Sequence, residues 1–399
     1  MKILFIHNRY QFRGGEDITV EMEQDLLESK GHQTRLLEFT NDAIRSLGAR
    51  ISAGLRSFYN PASAGILKEE IARFAPDVIH VHNLFFSASL SVLYEAGRAN
   101  IPVVMTLHNY RFICANALLM REGQICELCI HKTFPLAGIR HKCYRSSSLE
   151  SALVTGITGL HKSLHTLDKT VARLIVPSQF LKDKLANSSL SYPGSRTFVK
   201  PNFIPDNGTG PFPREDFFLY VGRLSKEKGI DILLECFLHR PDLQLVIAGD
   251  GPEKDKLLQA IKDTPSIQYL GQQPKEKIFS LMKQTKSLIF PSICYEGLPL
   301  TVIEAFSCGT PVIASRLGAM AEMVVHGYNG LHFTKGDAQD LENCLQQFCR
   351  PDEIQTFYKH ARESYEKKYH PDIHYASIMN IYQALLNTKD LYVRKITYH

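Results

Sequence analysis

The sequence predicts an α/β protein of two doubly wound domains that face a central cleft. The chain has 399 residues, which is long for one compact core and suits two domains of about 200 residues each. Short, continuous apolar runs alternate with helical segments, as in parallel sheets covered on both faces. This alternation starts twice, with a linker between the two series. In such sheets ligands bind at the carboxyl ends of the strands, so the cleft is the expected site.

The first series of strands begins at the N-terminus with "KILFIH", and the next segment, "GGEDITVEMEQDLLESKG", has the pattern of a helix that ends at Gly31. The later strand candidates are "TRLLEF", "DVIHVH", "PVVMTLH", "RLIVPS" and "TFVKP". Helical segments separate most of them, as parallel pairing requires. We therefore assign residues 1–200 to an N-terminal domain.

The second series follows "KPNFIPDNGTGPFPRED", whose Pro, Gly and Asn content is typical of a linker. Its strand candidates are "FFLYVGR", "LQLVIAGDG", "SIQYLG", "SLIFPS" and "PVIAS". We assign residues 201–372 to a C-terminal domain. Residues 373–399 contain an amphipathic helical pattern, and we expect this tail to pack back on the N-terminal domain.

Composition and charge narrow the function classes. No apolar run approaches the roughly 18 residues of a membrane span, and "MKILFIHNRY" does not resemble a signal peptide, so we expect a cytoplasmic protein. Residues 1–200 carry 24 Lys and Arg against 17 Asp and Glu, a net charge of +7, and residues 201–399 carry 22 against 24, or −2. The basic half suggests an anionic partner, with a solvated basic face as the alternative. No motif indicates nucleic-acid binding.

Two pairs of glycines follow strands. Gly14 and Gly15 let the backbone approach a ligand, and the helix after them offers unpaired N–H groups and its positive dipole end. A phosphate or a substrate hydroxyl fits there, and a tight strand–helix turn is the alternative. The spacing is not the dinucleotide fingerprint, which disfavours a nicotinamide cofactor. Gly249 and Gly251, in "AGDGPEKDKL", shape the edge of the cleft in the second domain.

Cations follow the first strand of the second series. In "YVGRLSKEKGIDILLE", Arg223, Lys226 and Lys228 precede a helix that begins near Gly229. Arginine offers a planar fork and lysine a point charge, and both suit a diphosphate. A solvated charged loop is the alternative.

Two carboxylates interrupt an apolar segment, "SICYEGLPLTVIEAFSCGTPV". An unpaired buried carboxylate is unfavourable, so Glu296 and Glu304 need partners. Pro299 suits the first turn of a helix, which places Glu296 in the preceding loop and Glu304 on the helix. The two carboxylates then face different parts of one elongated ligand, with backbone N–H groups between them. A nucleotide sugar has that shape, and pairing of Glu304 with a core cation is the alternative.

At these residues the chain resembles the retaining family 4 glycosyltransferases, which adopt the GT-B fold of two Rossmann-like domains. The C-terminal half matches through "GRLSKEKG", "GDGP", "EGLPLTVIEAFSCGTPVIAS" and "GYNGLHF". The N-terminal half is similar to bacterial members that build surface polysaccharides, through "RGGEDITVEME", "VIHVHNLF", "LHNYRFIC", "VPSQF" and "PNFI". The most specific element is a pair of glutamates with seven residues between them, which Glu296 and Glu304 meet.

The resemblance implies a role for each matched residue. Glu304 would bind the ribose, Glu296 would lie beside the donor sugar's hydroxyls, and Arg223 and Lys228 would hold the diphosphate. His108 would lie near the reacting face of the sugar, and the Gly14–Gly15 loop would meet the phosphate or the acceptor. The implied catalytic residues are Glu296, His108, Arg223 and Lys228. The implied donor-binding residues are Gly14, Gly15, Arg223, Lys228, Gly251, Glu296, Gly297, Leu298, Pro299, Leu300 and Glu304.

The resemblance also implies the chemistry. A sugar leaves a uridine or guanosine diphosphate, and the cations stabilise the charge that develops on the diphosphate. The acceptor is a saccharide hydroxyl, which enters on the face from which the diphosphate leaves. No Asp-x-Asp pair indicates a catalytic metal, so we expect no cofactor for catalysis. A nucleotide-sugar epimerase of the same fold and a catalytically silent binding module are the alternatives.

The nine cysteines fall into two groups. Five lie among apolar residues and are typical of reduced core thiols: Cys236, Cys294, Cys308, Cys344 and Cys349. The other four, Cys114, Cys126, Cys129 and Cys143, lie in an insert over about residues 111–148 with the spacing of a structural zinc site. His131 and His141 are spare candidate ligands. Buried reduced thiols are the alternative.

Residues 44–59 predict contact with a membrane surface. Apolar residues recur there at helical spacing, with Arg45, Arg50 and Arg56 among them, which is the pattern of an interfacial helix. The apolar positions are Ile44, Leu47, Ile51, Leu55 and Phe58. Packing of this stripe on the first sheet is the alternative. With the resemblance, the pattern predicts a lipid-linked acceptor and association with the inner face of the cell membrane.

Overall fold

The computed structural model of the chain describes residues 1–9, 14–40, 58–85, 87–348 and 351–387. Within them the chain divides into two compact units. Unit 1 comprises Met1–Leu119, Cys126–Pro201 and the described residues from His374 onward, and unit 2 comprises Met120–Ile125 and Asn202–Ile373. Most of the predicted interfacial helix, residues 44–57, and the thiol of Cys349 lie outside the described residues.

Unit 1 is built on a six-stranded parallel sheet in the order β2-β1-β3-β4-β7-β8. The strands of this sheet are β1 (Lys2–Arg9), β2 (Gln33–Thr40), β3 (Val78–Asn83), β4 (Val103–Thr106), β7 (Arg173–Val176) and β8 (Thr197–Val199), and a hairpin of β5 (Met120–Arg121) and β6 (Gln124–Ile125) comes between β4 and β7 along the chain. The helices are α1 (Gly15–Ser29), α2 (Pro61–Phe74), α3 (Ser91–Arg98), α4 (Leu136–Arg140), α5 (Ser148–Ser163), α6 (Thr166–Thr170) and α7 (Gln179–Ala186). The hairpin strands pair with each other and join neither large sheet, although the hairpin groups with unit 2.

Unit 2 contains a second six-stranded parallel sheet, in the order β11-β10-β9-β12-β13-β14. Its strands are β9 (Phe218–Val221), β10 (Leu245–Ala248), β11 (Ile267–Gly271), β12 (Ser287–Phe290), β13 (Val312–Ser315) and β14 (Gly330–Phe333). The remaining helices are α8 (Ile230–Leu238), α9 (Lys254–Ala260), α10 (Lys275–Gln284), α11 (Leu300–Ser307), α12 (Met320–Met323), α13 (Ala338–Phe348), α14 (Pro351–Lys368) and α15 (Pro371–Asn387). The prediction of two doubly wound α/β domains is confirmed.

The apolar strands are buried because helices cover both faces of each sheet. All six residues of β3 and all four of β4 are buried. In unit 1 the helix α15 contributes Ile378 and Tyr382 to the same core as Ile3 and Phe5 of β1. This helix therefore belongs to the core of unit 1, although it follows unit 2 along the chain.

The order of the strands creates one switch point in each sheet. In unit 2 the chain runs from β9 outward to β10 and β11 and then returns to place β12 on the other side of β9. The connections after β9 and β12 therefore diverge, which leaves a crevice beyond the carboxyl ends of these neighbouring strands. In unit 1 the equivalent point lies between β1 and β3. These two edges are where binding residues are expected.

In the part of the chain that the structure describes, no helix combines the length and the apolar character needed to cross a membrane.

Gly229 holds the connection after β9 against the connection after β12. It ends a 3₁₀ turn over Lys226–Lys228 with φ of 74°, a conformation that favours glycine. A Cβ atom at this position would lie 1.9 Å from the carbonyl oxygen of Pro291. The close approach therefore depends on the missing side chain.

We expect Gly229→Ala to destabilise unit 2. An alanine in the left-handed conformation costs roughly 1–2 kcal/mol of folding free energy, and the added Cβ would also clash with the backbone. Each kcal/mol lowers the Tm of a unit of this size by about 2–4 °C. Calorimetry on Gly327→Ala supplies the control, since Gly327 has φ of 78° but a Cβ added there would have no atom within 4 Å. Equal losses in the two variants would contradict the close approach.

Candidate active site

An ion pair joins the two connections that leave the switch point of unit 2. The Lys228 ammonium, which follows β9, donates a hydrogen bond of 2.6 Å to Oε1 of Glu296, which follows β12. The Ser292 hydroxyl donates to the same oxygen at 2.6 Å. The backbone adds a second link, because the Ile293 N–H donates to the Glu227 carbonyl oxygen at 2.9 Å. The position of Glu296 is therefore set by its partners.

Both members of this pair are charged at neutral pH. Burial raises the pKa of Glu296, but the Lys228 ammonium and the hydrogen bonds to the carboxylate outweigh it, so the pKa lies below the usual value. Burial likewise lowers the pKa of Lys228, but the Glu296 carboxylate outweighs it, and the net shift is upward. An ammonium has three N–H donors, so Lys228 keeps donors beyond the one that Glu296 accepts.

Glu304 is in a different situation. It lies on α11, partly buried, and its carboxylate has no hydrogen-bond or ion-pair partner among the described residues. Burial raises the pKa of Glu304, and the more distant Lys275 ammonium offsets this only in part. The alternative that Glu304 pairs with a core cation is therefore not what the described residues show.

The first turn of α11 adds backbone donors. Pro299 occupies the N-cap position with an extended backbone, and no side chain caps the helix. The sequence pattern predicts Pro299 in the first turn, and the helix in fact begins one residue later, at Leu300. Gly297, Leu298, Pro299 and Leu300 are all partly exposed. The unpaired N–H groups of this turn can donate to an anion.

Arg223 and two glycines line the same edge of the sheet. Arg223 is exposed, and its guanidinium has no ion-pair partner among the residues described. A Cβ at Gly249, where φ is 145°, would lie 1.9 Å from the carbonyl oxygen of Gly222, and one at Gly251 would lie 2.3 Å from that of Leu224. These two glycines therefore allow the connections after β9 and β10 to touch.

In unit 1, His108 lies just beyond β4 and is part of a pocket with Glu16, Asn109 and Arg111. Its Nε2 lies 2.9 Å from Nδ1 of His82, on β3. Burial lowers the pKa of His108 to about 3, so the imidazole is neutral at pH 7. Only the family resemblance pointed to His108, and its buried neighbour His82 was missed.

Gly14 and Gly15 lie at the start of α1, where Gly14 is the N-cap. The Gly14 N–H donates to Oδ2 of Asp17 at 2.8 Å, and the other oxygen of Asp17 lies 2.8 Å from Nε2 of His7. One N–H of this turn is therefore already hydrogen-bonded within the chain, which agrees with the alternative of a tight strand–helix turn. The preceding residues 10–13 lie outside the described residues.

A buried acid, Glu23 of α1, was also missed. Its Oε2 accepts a 2.6 Å hydrogen bond from Lys200 and lies 2.8 Å from Nε2 of His374. The three residues are far apart in the sequence, and α1 has the pattern of an ordinary amphipathic helix. The signal that could have pointed to it was the alternation His80-Val81-His82 in a buried strand, since buried histidines need polar partners.

The four predicted zinc ligands are close enough for the charge on one thiol to act on another. Within the insert, the Cys143 N–H donates to the Gly138 carbonyl oxygen at 2.9 Å. Burial raises the pKa of Cys129 to about 11, helped by the nearby Cys114, Cys143 and Cys126 sulfurs. Yet no three of the four sulfur atoms lie within 4.8 Å of one another. A zinc ion bound at about 2.3 Å to each would bring them to about 3.8 Å.

The predicted donor-binding residues thus fall into two sets. Unit 2 brings Arg223, Lys228, Gly251, Glu296, Glu304 and residues 297–300 to one end of its sheet. Gly14, Gly15 and His108 belong to unit 1. In unit 2, two cations, backbone donors and a carboxylate with no partner among the described residues suit a ligand that carries both negative charge and hydroxyl groups.

Two family models match the chain. "Glycosyltransferase Family 4" matches residues 14–207, and "Glycosyl transferases group 1" matches residues 206–364. Among curated relatives, the chain is 25% identical to a sulfoquinovosyl transferase of Arabidopsis thaliana over 80% of this chain and 61% of the relative. It is 29% identical to a phosphatidyl-myo-inositol mannosyltransferase of Mycobacterium leprae over 61% of this chain and 66% of the relative. The matched stretches span about a third to two thirds of the length of these curated relatives.

Solved structures share the fold. The sucrose-phosphate synthase of Thermosynechococcus elongatus superposes with a TM-score of 0.70 at 17% identity, over 97% of this chain and 99% of that one. The Anabaena protein HepE, solved in complex with UDP and glucose, superposes with a TM-score of 0.65 at 20% identity and the same coverage. At these identities the likeness is one of fold.

The zinc site stays a prediction, and we expect purified protein to carry about one zinc per chain. Binding of the ion would deprotonate the four thiols and draw their sulfur atoms together. Elemental analysis with thiol titration checks this, and the double variant Cys126→Ser/Cys129→Ser should lose the metal. The matched control Cys236→Ser/Cys344→Ser removes two buried thiols of unit 2. Metal-free protein with four titratable thiols in the insert would refute the site.

Proposed function

The chain belongs to the family 4 glycosyltransferases of GT-B fold, and on that premise we propose that it moves a sugar from a nucleoside-diphosphate sugar to a saccharide hydroxyl. We further propose that the configuration at the sugar's anomeric carbon is retained. The observation that carries the proposal is Glu304, a partly buried carboxylate without a partner in the described chain, on the helix that follows the Lys228–Glu296 pair. A ribose with two hydroxyl donors would supply the missing partners.

The cations of unit 2 suit the diphosphate. Lys228 is held in place by Glu296, so it needs no reorganisation as charge develops on the leaving group. Arg223 is exposed and can form two parallel hydrogen bonds to phosphate oxygens. The uncapped N–H groups of α11 add a third source of positive potential. In this proposal Lys228, Arg223 and the first turn of α11 supply the positive charge that stabilises the departing diphosphate, and a metal ion is not needed for that purpose.

Glu296 suits the sugar end of the donor. Its carboxylate is charged and has one oxygen, Oε1, committed to Lys228 and Ser292. The low pKa makes Glu296 a poor proton acceptor, which favours a role in holding sugar hydroxyls over that of a general base. A leaving diphosphate oxygen can instead take the proton of the acceptor hydroxyl on the face it leaves, which gives retention. His108 and the Gly14–Gly15 turn belong to unit 1, and the roles that the family resemblance implies for them stay predictions.

We expect Glu304→Gln to weaken binding of both the nucleoside diphosphate and the nucleotide sugar by about 1–3 kcal/mol, because a charged hydrogen-bond partner of the ribose is lost. Titration calorimetry with UDP and GDP measures this, and UDP is the first choice because HepE was solved with it. Glu235→Gln, an exposed glutamate on α8, is the control. Unchanged affinity in a folded Glu304→Gln protein would remove Glu304 from the site.

We also propose that the acceptor is lipid-linked. Relatives include a phosphatidyl-myo-inositol mannosyltransferase and a lipopolysaccharide N-acetylglucosaminetransferase, whose names specify lipid acceptors. Residues 98–145 carry seven Lys and Arg against two acids. In this segment Leu128 and Leu136 are 55% and 65% exposed. Exposed apolar side chains among cations suit the surface of an anionic membrane.

We expect the protein to sediment with anionic vesicles and not with neutral ones, and to be released by salt. Replacing Arg45, Arg50 and Arg56 by Ser should weaken this binding, since each cation contributes about 1 kcal/mol near such a surface. The control variant replaces three exposed lysines of unit 2, Lys262, Lys277 and Lys368, by Ser. Full activity on a water-soluble acceptor together with no vesicle binding would reject a lipid-linked acceptor.

A further inference from the structure

Glu23 is the centre of a buried polar cluster in unit 1. Its Oε2 atom is engaged by Lys200 at 2.6 Å and by His374 at 2.8 Å. Its Oε1 atom lies 3.0 Å from Nδ1 of His80 and 3.8 Å from Nε2 of His82. Burial raises the pKa of Glu23, but Lys200 and the histidines outweigh it and hold the pKa well below the usual value. Glu23 is therefore a buried anion.

Two atoms of the cluster lack a hydrogen bond among the described residues. They are Oε1 of Glu23 and Nε2 of His82, both fully buried. His80 Nδ1 is nearer to Oε1, but it is hydrogen-bonded to the Tyr382 hydroxyl at 2.7 Å. The carboxylate oxygen and the His82 nitrogen thus face each other across 3.8 Å.

His82 connects this anion to His108. Its other ring nitrogen, Nδ1, lies 2.9 Å from Nε2 of His108, and the two rings are stacked with centroids 5.2 Å apart. Burial is the main cause that lowers the pKa of both imidazoles, so both are neutral at pH 7. A neutral imidazole has one N–H donor and one bare nitrogen acceptor. One of the two rings therefore donates to the other.

The charge of Glu23 decides the direction of that hydrogen bond. If His82 carried its proton on Nδ1, the bare Nε2 would point its lone pair at the carboxylate, which is repulsive. If the proton is on Nε2, the N–H dipole points at the carboxylate, which is attractive in this low-dielectric interior. Nδ1 of His82 is then bare and accepts from Nε2–H of His108. The remaining nitrogen of His108, Nδ1, is left as an acceptor.

We propose that Glu23 is a positioning residue that sets, through His82, the tautomer of His108, so that His108 offers Nδ1 as a hydrogen-bond acceptor to a ligand hydroxyl. The inference rests on the proposed function for the identity of the ligand, a sugar with hydroxyl donors. His108 lines a pocket, and its Nδ1 has no partner among the described residues. A ligand group without a hydrogen to donate would leave this acceptor unsatisfied.

A metal ion bound by the same atoms is the alternative to this hydrogen-bonded arrangement. Oε1 of Glu23 and one nitrogen each of His80 and His82 lie within 4.8 Å of one another, as in a cation site. A cation would need the lone pair of Nε2 on His82, which moves the proton to Nδ1 and reverses the tautomer of His108. Lys200 already balances the charge of Glu23, which favours the metal-free arrangement. The two interpretations predict opposite tautomers, so one measurement separates them.

The test is ¹⁵N correlation spectroscopy of histidine-labelled full-length protein at pH 7, without any sugar, because N–H and bare ring nitrogens differ widely in ¹⁵N shift. We expect His108 to be protonated at Nε2 and bare at Nδ1. In Glu23→Gln the bias is lost, and the His108 Nδ1 resonance should move toward the N–H range. Glu28→Gln, an exposed glutamate on the same helix, should leave it in place.

Glu23→Gln leaves the Lys200 ammonium buried without an anion and can unfold unit 1. His82→Phe is the second variant, because it keeps an aromatic ring beside Phe5 and His80 while removing the link. In His82→Phe too, the resonances of the His108 ring nitrogens should shift toward values averaged between an N–H and a bare nitrogen. Glu23→Asp keeps the carboxylate, and it should therefore show the wild-type pattern. A wild-type His108 protonated at Nδ1 would overturn the proposal, and so would a spectrum that neither variant changes. Because no sugar is present, this result is independent of whether the donor-binding proposal holds.

Discussion

A carboxylate that is removed from water needs a cation or several hydrogen-bond donors, and this constraint shapes both units. Glu23 in unit 1 meets it with Lys200 and His374, and Glu296 in unit 2 meets it with Lys228 and Ser292. In each case one partner, Lys200 or Lys228, lies far from the carboxylate along the chain, so the pairing also holds distant segments together. Glu304 does not meet the constraint within the described chain, and for this reason it indicates a ligand.

The sheet topology explains why the satisfied pair in unit 2 lies where a ligand can use it. Because β9 and β12 are parallel neighbours, the residues after them meet at one edge although 68 positions separate Lys228 from Glu296. The chain leaves this edge in opposite directions, which keeps the crevice open. Gly229 and Gly249 bring the backbone of adjacent connections into contact, and Arg223, in the connection after β9, is exposed. The predicted binding groups and the structural groups are therefore neighbours in the same short segments.

The buried charges in unit 1 act at a greater distance. Glu23 touches no surface, yet its field orients His82 and, through it, the ring of His108 that borders a pocket. Lys200 and His374 hold this charge, and His374 lies on α15, so a helix from the far end of the sequence supports a group on the connection after β4. Such a network is sensitive to each member, because an unsatisfied polar group in a low-dielectric interior is destabilising.

Much of this protein was determined by local sequence. The alternation of apolar runs with helical segments is a short-range property, so it predicted both parallel sheets, although the edge strand β14 was missed because "GLHF" is short and not continuously apolar. The spacing of Glu296 and Glu304 likewise placed one in a loop and the other on a helix. Only the tertiary structure decided that Glu296 is paired, that Glu304 has no partner within the described ranges, and that Glu23, Lys200 and His374 form one cluster. Those contacts join residues up to 351 positions apart. Whether a charged side chain has hydrogen-bond or ion-pair partners can therefore be decided only when its neighbours in space are known.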